Sequence, residues 1–224
     1  MREMTERSEK NTSRDLDERT ESIFEWLHVN SRLVAVAALV VAVAAVGGWL
    51  YTRAQAGKEL RAEQALLRAE QSLGQGNIPL AQTDLQKLIS TQGGTAGASQ
   101  GAMLLAQTYY DKGEYQKGID ALEKSGAARK EFEAGAEALI GDGYSQLGKY
   151  AEAAAHYRKA AEVTRFKNDR EGYLADAARN FMAGKDTAQA RQVWQEVLKN
   201  ENGVYAAEAR VRLGELTARP VSKS

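Results

Sequence analysis

Three groupings in the chain have residue types and spacings associated with chemistry. Gly143-x-x-x-x-Gly148-Lys149 has the spacing of a phosphate-binding loop, where backbone N–H groups cradle phosphates and a lysine reaches the outer ones. Two features argue against that chemistry. Tyr150 stands where magnesium ligation needs a serine or threonine, and no Val/Ile-rich strand precedes Gly143. Glu152 and His156 lie one helical turn apart, as two metal ligands would, but a zinc site needs at least a third and none accompanies them. Glu131 and Glu133 form a carboxylate pair of the kind that more often marks a solvated helix face. The chain has no cysteine, which removes thiol nucleophiles, disulfides and Cys-ligated metals, and only two histidines. No catalytic set, cofactor site or metal site emerges, and a non-enzymatic protein is expected.

The elements that carry these residues are helical. Among 224 residues there are 2 prolines, 43% of residues are hydrophobic and only 7% are aromatic. Abundant Ala, Leu, Glu, Lys, Arg and Gln favour long helices over strands, so an all-α protein is expected. Lys plus Arg equals Asp plus Glu, 30 each. A binder of nucleic-acid backbone carries a basic excess, so nucleic acid is not an expected partner. Nothing indicates a small-molecule substrate.

Charge is absent from Leu33 to Tyr51, a stretch made of Ala, Val, Leu and Gly with Trp49 and Tyr51 at one end. Arg32 and Arg53 bracket it. At 1.5 Å per residue it spans roughly 28 Å, about one hydrocarbon core, and its aromatic rings suit the interface. Ala54-Gln55-Ala56 has the small-x-small form of a cleavage site. However, the apolar run exceeds the roughly 7–15 residues of a signal h-region. We therefore read an uncleaved anchor in contact with the lipid bilayer through Leu33–Tyr51. Flanking basic residues (Arg14, Arg19 and Arg32 against Arg53, Lys58, Arg61 and Arg68) leave its orientation undecided. The expected organisation is a charged tail over 1–32, an anchor over 33–51, a repeat domain over 52–218 and a disordered C-terminus over 219–224. Within the tail, disorder is expected to about Arg14, and Leu16–His28 reads either as a surface-lying amphipathic helix or as a continuation of the anchor.

Behind the anchor the chain repeats. Ala106-x-x-Tyr109-x-x-x-Gly113-x-Tyr115-x-x-Gly118-x-x-x-Leu122 matches Gly141-x-x-Tyr144-x-x-x-Gly148-x-Tyr150-x-x-Ala153-x-x-x-Tyr157 at an offset of 35. Ala69, Gly76, Ile78, Ala81, Leu85 and Leu88 form an earlier copy; Ala177, Gly184, Ala190, Trp194 and Val197 form a later one with one extra turn residue. The period describes a helix–turn–helix. Small residues let paired helices approach, with Gly141 expected opposite Ala153. The glycines Gly76, Gly113, Gly148 and Gly184 end the first helices, where φ > 0 is usually needed. One hairpin cannot bury its apolar face alone, so several stack. About four hairpins are expected, followed by a solvating cap near Tyr205–Leu216.

These residues resemble the tetratricopeptide repeat: small residue, Tyr, turn Gly, aromatic, Ala, aromatic. The resemblance covers roughly Gly57 to Gly214 and implies a solenoid with a concave face that holds protein segments. By register that face includes Gln107, Tyr110, Asp111, Asp142, Ser145, Gln146, Arg179 and Phe181; Tyr110 reads either as the leading anchor of this face or as a shield of the hairpin seam. The Lys/Asn clamp by which some repeat co-chaperones bind a terminal carboxylate is not matched, since Met103 and Gln107 occupy two of its places.

The order of tail, anchor ending Gly-Trp-Leu-Tyr, membrane-exiting helix and four atypical repeats resembles the YfgM-type ancillary subunit of the bacterial Sec translocon. Thr95–Ala106 resembles the start of that family's second repeat, and Arg179–Val197 its last hairpin. The resemblance implies a bacterial inner-membrane protein with a cytoplasmic N-terminus and a periplasmic repeat domain. Its implied partners are translocon subunits, a membrane-anchored periplasmic chaperone and exported proteins. An anchored adaptor of another envelope complex, such as cell division or wall assembly, has the same layout.

Overall fold

Alanine- and leucine-rich segments form helices, and Gly-containing turns separate them. The computed structural model describes residues 29–125 and 130–217, and no strand occurs among them. The helices are α1 (Ser31–Gly74), α2 (Ile78–Gln92), α3 (Ala96–Tyr110), α4 (Tyr115–Lys124), α5 (Glu133–Gln146), α6 (Tyr150–Val163), α7 (Lys167–Ala183), α8 (Thr187–Val197) and α9 (Ala206–Thr217). The chain divides into two compact units, Met1–Ala56 and Gly57–Ser224.

In the first unit the apolar residues of α1 are exposed, among them Leu33, Leu39, Val43, Trp49 and Tyr51. By length and composition this helix is able to cross a membrane, and none of its apolar window is buried by protein. The Arg53 guanidinium lies 5.2 Å from the centre of the Trp49 ring at the end of that window. The expected tail features over 1–28 and the C-terminus over 219–224 lie outside the described residues.

The second unit is a stack of hairpins. The C-terminal part of α1 packs with α2 through Ala62, Leu66 and Ala69 against Leu85 and Leu88. The following pairs are α3–α4, α5–α6 and α7–α8, closed by α9. From α2 onward each helix packs on the next, and α3 also touches α5. The core is distributed along the stack. Ala102, Ala106, Ile119, Leu122 and Ile140 form its middle, and Ala153, Tyr157, Leu174, Ala178, Val193 and Trp194 lie toward its end. Such repeats bury surface only with their neighbours, so local contacts dominate stability.

Each hairpin turns through the same hydrogen-bonded device. Gly148 N–H donates to Ser145 O at 3.0 Å and Lys149 N–H to Tyr144 O at 2.9 Å, which is a Schellman motif. Gly76 and Gly113 repeat it, and all three glycines have φ between 72° and 75°. Gly148 is thus a repeat turn and not part of a phosphate loop. In the fourth turn the expected glycine is not the left-handed residue. Gly184 has φ −77°, and Lys185 takes φ 61° with the equivalent bond, its N–H donating to Met182 O at 3.0 Å. The repeat offset there is therefore 37, not 36. Gly141 lies where the two helices of its hairpin meet: a Cβ on it would sit 3.1 Å from the Tyr157 ring, one turn beyond Ala153.

Candidate functional site

The first helices of the central hairpins, α3, α5 and α7, line a groove of about 580 Å³. Tyr110 and Asp111 come from the end of α3, Asp142, Ser145 and Gln146 from α5, and Arg179 from α7. These are six of the eight residues that the repeat register places on the concave face. The groove also takes Tyr115 from the start of α4, Tyr157 from α6, and Asp176 and Asn180 from α7.

The other two lie elsewhere. Gln107 is exposed on α3 and does not line the groove. Phe181 packs against the buried cluster of Tyr157, Ala178 and Trp194. The reason is the fourth turn: at the true offset of 37, Phe181 corresponds to Tyr144, a seam residue, and not to Ser145. Sequence reasoning missed Asp176 and Asn180, which flank Arg179. The same offset relates Asn180 to Gly143, so a polar side chain stands where the preceding repeat has a glycine. Tyr157 belongs to the buried cluster as well as to the groove.

The structure seats Tyr110 in the hairpin seam. Its hydroxyl donates to Leu139 O at 2.8 Å, so it is engaged within the fold. Its ring fills space left by two glycines. A Cβ on Gly118 would stand 2.3 Å from Tyr110 Cε1, and one on Gly143 would stand 2.5 Å from the Tyr110 oxygen. Tyr110 is a seam residue that forms one wall of the groove, with the Tyr115 ring 5.8 Å away.

The groove's polar groups form two connected sets. The Tyr157 hydroxyl donates to Asp142 Oδ1. Arg179 Nη1 donates to Asp176 Oδ1 at 2.6 Å, its Nε to Glu208 Oε1 at 3.0 Å, and its Nη2 to Glu208 Oε2. The Arg179 guanidinium also lies 5.6 Å from the Tyr205 ring centre. Asn180 is 7% exposed; its Nδ2 donates to Asp176 O at 2.9 Å, and its Oδ1 has no partner.

Protein packed around the groove raises the pKa of both Asp142 and Asp176. For Asp142 the Tyr157 hydrogen bond opposes the rise and the Asp176 charge adds to it; for Asp176 the Arg179 contact opposes it. Burial likewise raises the Tyr110 and Tyr157 phenols, which stay protonated donors near neutrality. Glu208 is lowered, chiefly by its Arg179 hydrogen bond.

The motif at Glu152 and His156 resolves differently. His156 Nδ1 lies 2.7 Å from Glu137 Oε2, and Lys159 Nζ donates to Glu137 Oε1 at 2.6 Å. Its acidic partner is the buried Glu137 of α5 and not Glu152. Among the described residues no group of three or more His, Asp or Glu is placed to hold a metal ion.

A tetratricopeptide repeat-like domain model matches the chain twice, over residues 25–131 and 65–174. No curated protein matches the sequence. Two solved structures share the fold at low identity. The nearly identical TPR-like repeats of Podosopora anserina superpose with a TM-score of 0.53 at 16% identity, covering 70% of this chain and 85% of that one. The Pseudomonas aeruginosa pilF structure superposes at 0.51 with 18% identity, covering 71% and 69%. Together the two family matches span about two-thirds of the sequence and take in the groove residues from Tyr110 to Tyr157, and the chain belongs to the tetratricopeptide repeat-like domain family.

Proposed function

We propose that this protein is a membrane-anchored, non-enzymatic scaffold whose concave groove holds segments of other proteins. In this reading Leu33–Tyr51 spans the bacterial inner membrane, the N-terminus is cytoplasmic and the repeat domain is periplasmic. The scaffold acts beside the Sec translocon, in contact with its subunits and a membrane-anchored periplasmic chaperone, and assists exported proteins. The observation that carries the binding role is the groove itself. First helices of three successive hairpins contribute to one cavity of about 580 Å³, within the roughly 300–1,000 Å³ usual for ligand sites. The exposed apolar face of α1 supports the anchor, and the resemblance in layout supports the translocon assignment.

Affinity purification of the full chain in mild detergent, followed by mass spectrometry, tests this function. Translocon subunits and a membrane-anchored chaperone among the leading partners are expected. Cell-division or wall-assembly proteins in their place overturn the translocon role and leave an adaptor of another envelope complex.

A further inference from the structure

Resting on the peptide-binding reading above, we propose that the groove selects segments carrying an arginine or lysine, whose cationic head seats beside Asp142 and Asp176. Four of the groove's donors are already engaged inside the protein: the Tyr110 hydroxyl with Leu139 O, the Tyr157 hydroxyl with Asp142, the Arg179 guanidinium with Asp176 and Glu208, and Asn180 Nδ2 with Asp176 O. Tyr115, Ser145 and Gln146 also line it, and around Asp142 the capacity left is acceptor capacity. Asp142 has no cation in contact among the described residues, and its only side-chain partner is a neutral phenol. Asn180 Oδ1 is a buried acceptor without any partner. Guanidinium and ammonium groups are donors only, so they complement this set, whereas a carboxylate or carbonyl does not.

Charge points the same way. Asp111, Asp142 and Asp176 line the groove against one cation, Arg179, and that cation is shared with Glu208. An incoming positive charge offsets the burial that raises the Asp142 pKa and relieves the smaller contribution of its repulsion with Asp176. The tyrosine walls contribute as well. Tyr110, Tyr115 and Tyr157 border the cavity, and aromatic faces attract cations.

The test uses the full chain in mild detergent and four labelled ten-residue Gly/Ser peptides that differ only in a central pair of Arg, Lys, Gln or Glu. Binding is read by fluorescence anisotropy. The Arg and Lys peptides are expected to bind at least about tenfold more tightly than the Gln peptide, and the Glu peptide most weakly. Asp142→Asn keeps an acceptor for Tyr157 but removes the charge; it is expected to weaken the Arg peptide about tenfold while melting no lower than the parent. Glu162→Gln makes the same charge change on the exposed face of α6 and is expected to leave binding unchanged. Ser145→Trp, which fills the groove, is expected to abolish capture. Equal affinity for all four peptides that Ser145→Trp still abolishes overturns the cation preference but leaves the peptide groove intact. Undiminished Arg-peptide binding by Asp142→Asn overturns the preference also. Failure of every peptide to bind, or binding indifferent to Ser145→Trp, overturns both readings.

Discussion

Gly118→Ala tests whether Tyr110 belongs to the hairpin seam. An added Cβ would lie 2.3 Å from Tyr110 Cε1, 2.7 Å from Cδ1 and 3.0 Å from the backbone oxygen of Ala106. Unstrained carbon contacts lie near 3.5–4.0 Å, so the ring or helix α4 must move. The ring is poorly placed to yield, because its hydroxyl is held by Leu139 O at 2.8 Å and Gly143 lies against it. Overpacking of this kind costs about 1–3 kcal/mol, and the gain in helix propensity from Gly to Ala offsets about 1 kcal/mol. The expected net loss is about 0–2 kcal/mol, a fall in melting temperature of up to about 8 °C for a protein of this size. Tyr110→Ala alone removes the ring at a cost of about 3 kcal/mol. In that background Gly118→Ala has only the Ala106 oxygen to meet, and it is expected to be neutral or slightly stabilising. Melting of the parent, both single variants and the double variant closes the cycle, with an expected coupling of about 1–3 kcal/mol. Additive effects, or a parent stabilised by Gly118→Ala, would show that Tyr110 does not fill this space.

Three further predictions follow from the same structure. Lys185→Gly is expected to stabilise the protein by about 1 kcal/mol, since Lys185 holds φ 61° where a side chain is disfavoured; a lowered melting temperature refutes that turn geometry. Asp142 has a folded-state pKa above its unfolded value, so the stability linked to it is full below the unfolded pKa and is lost as pH rises through the folded one. Asp142→Asn is therefore expected to melt above the parent at neutral pH, with the gap closing as pH falls toward about 4; a gap that widens on acidification contradicts the raised pKa. Ser8→Cys and Ser222→Cys test topology in this cysteine-free chain. With the outer membrane permeabilised, a maleimide that cannot cross the inner membrane should label position 222 and not position 8, and the reverse pattern refutes the proposed orientation.

The candidate site was legible in part. The period of the central repeats places Asp111, Asp142, Ser145 and Gln146 on one face, and they line the groove, because identical spacing keeps equivalent residues on the same helix face. It failed at Phe181, where a glycine at 184 resembles the earlier turns while the left-handed position has moved to Lys185. One residue of slip turns a helix by about 100°, enough to exchange a groove position for a seam position. Gln107 failed for another reason: a residue on the correct helix still needs a facing neighbour to enclose it.

Local features were legible in the chain: helical class, the hairpin period, the turns at Gly76, Gly113 and Gly148, and one apolar stretch long enough to cross a membrane. Each depends on residue type and spacing within a few turns of chain. Which polar groups are already engaged depends instead on how the repeats stack. Tyr110 looks like a free aromatic anchor until Leu139 O, 29 residues away, accepts its hydroxyl. Arg179 looks like an available cation until Glu208, also 29 residues away, joins Asp176 around it. These pairings cross from one repeat to the next, where stacking brings side chains together, and no spacing within a single hairpin encodes them.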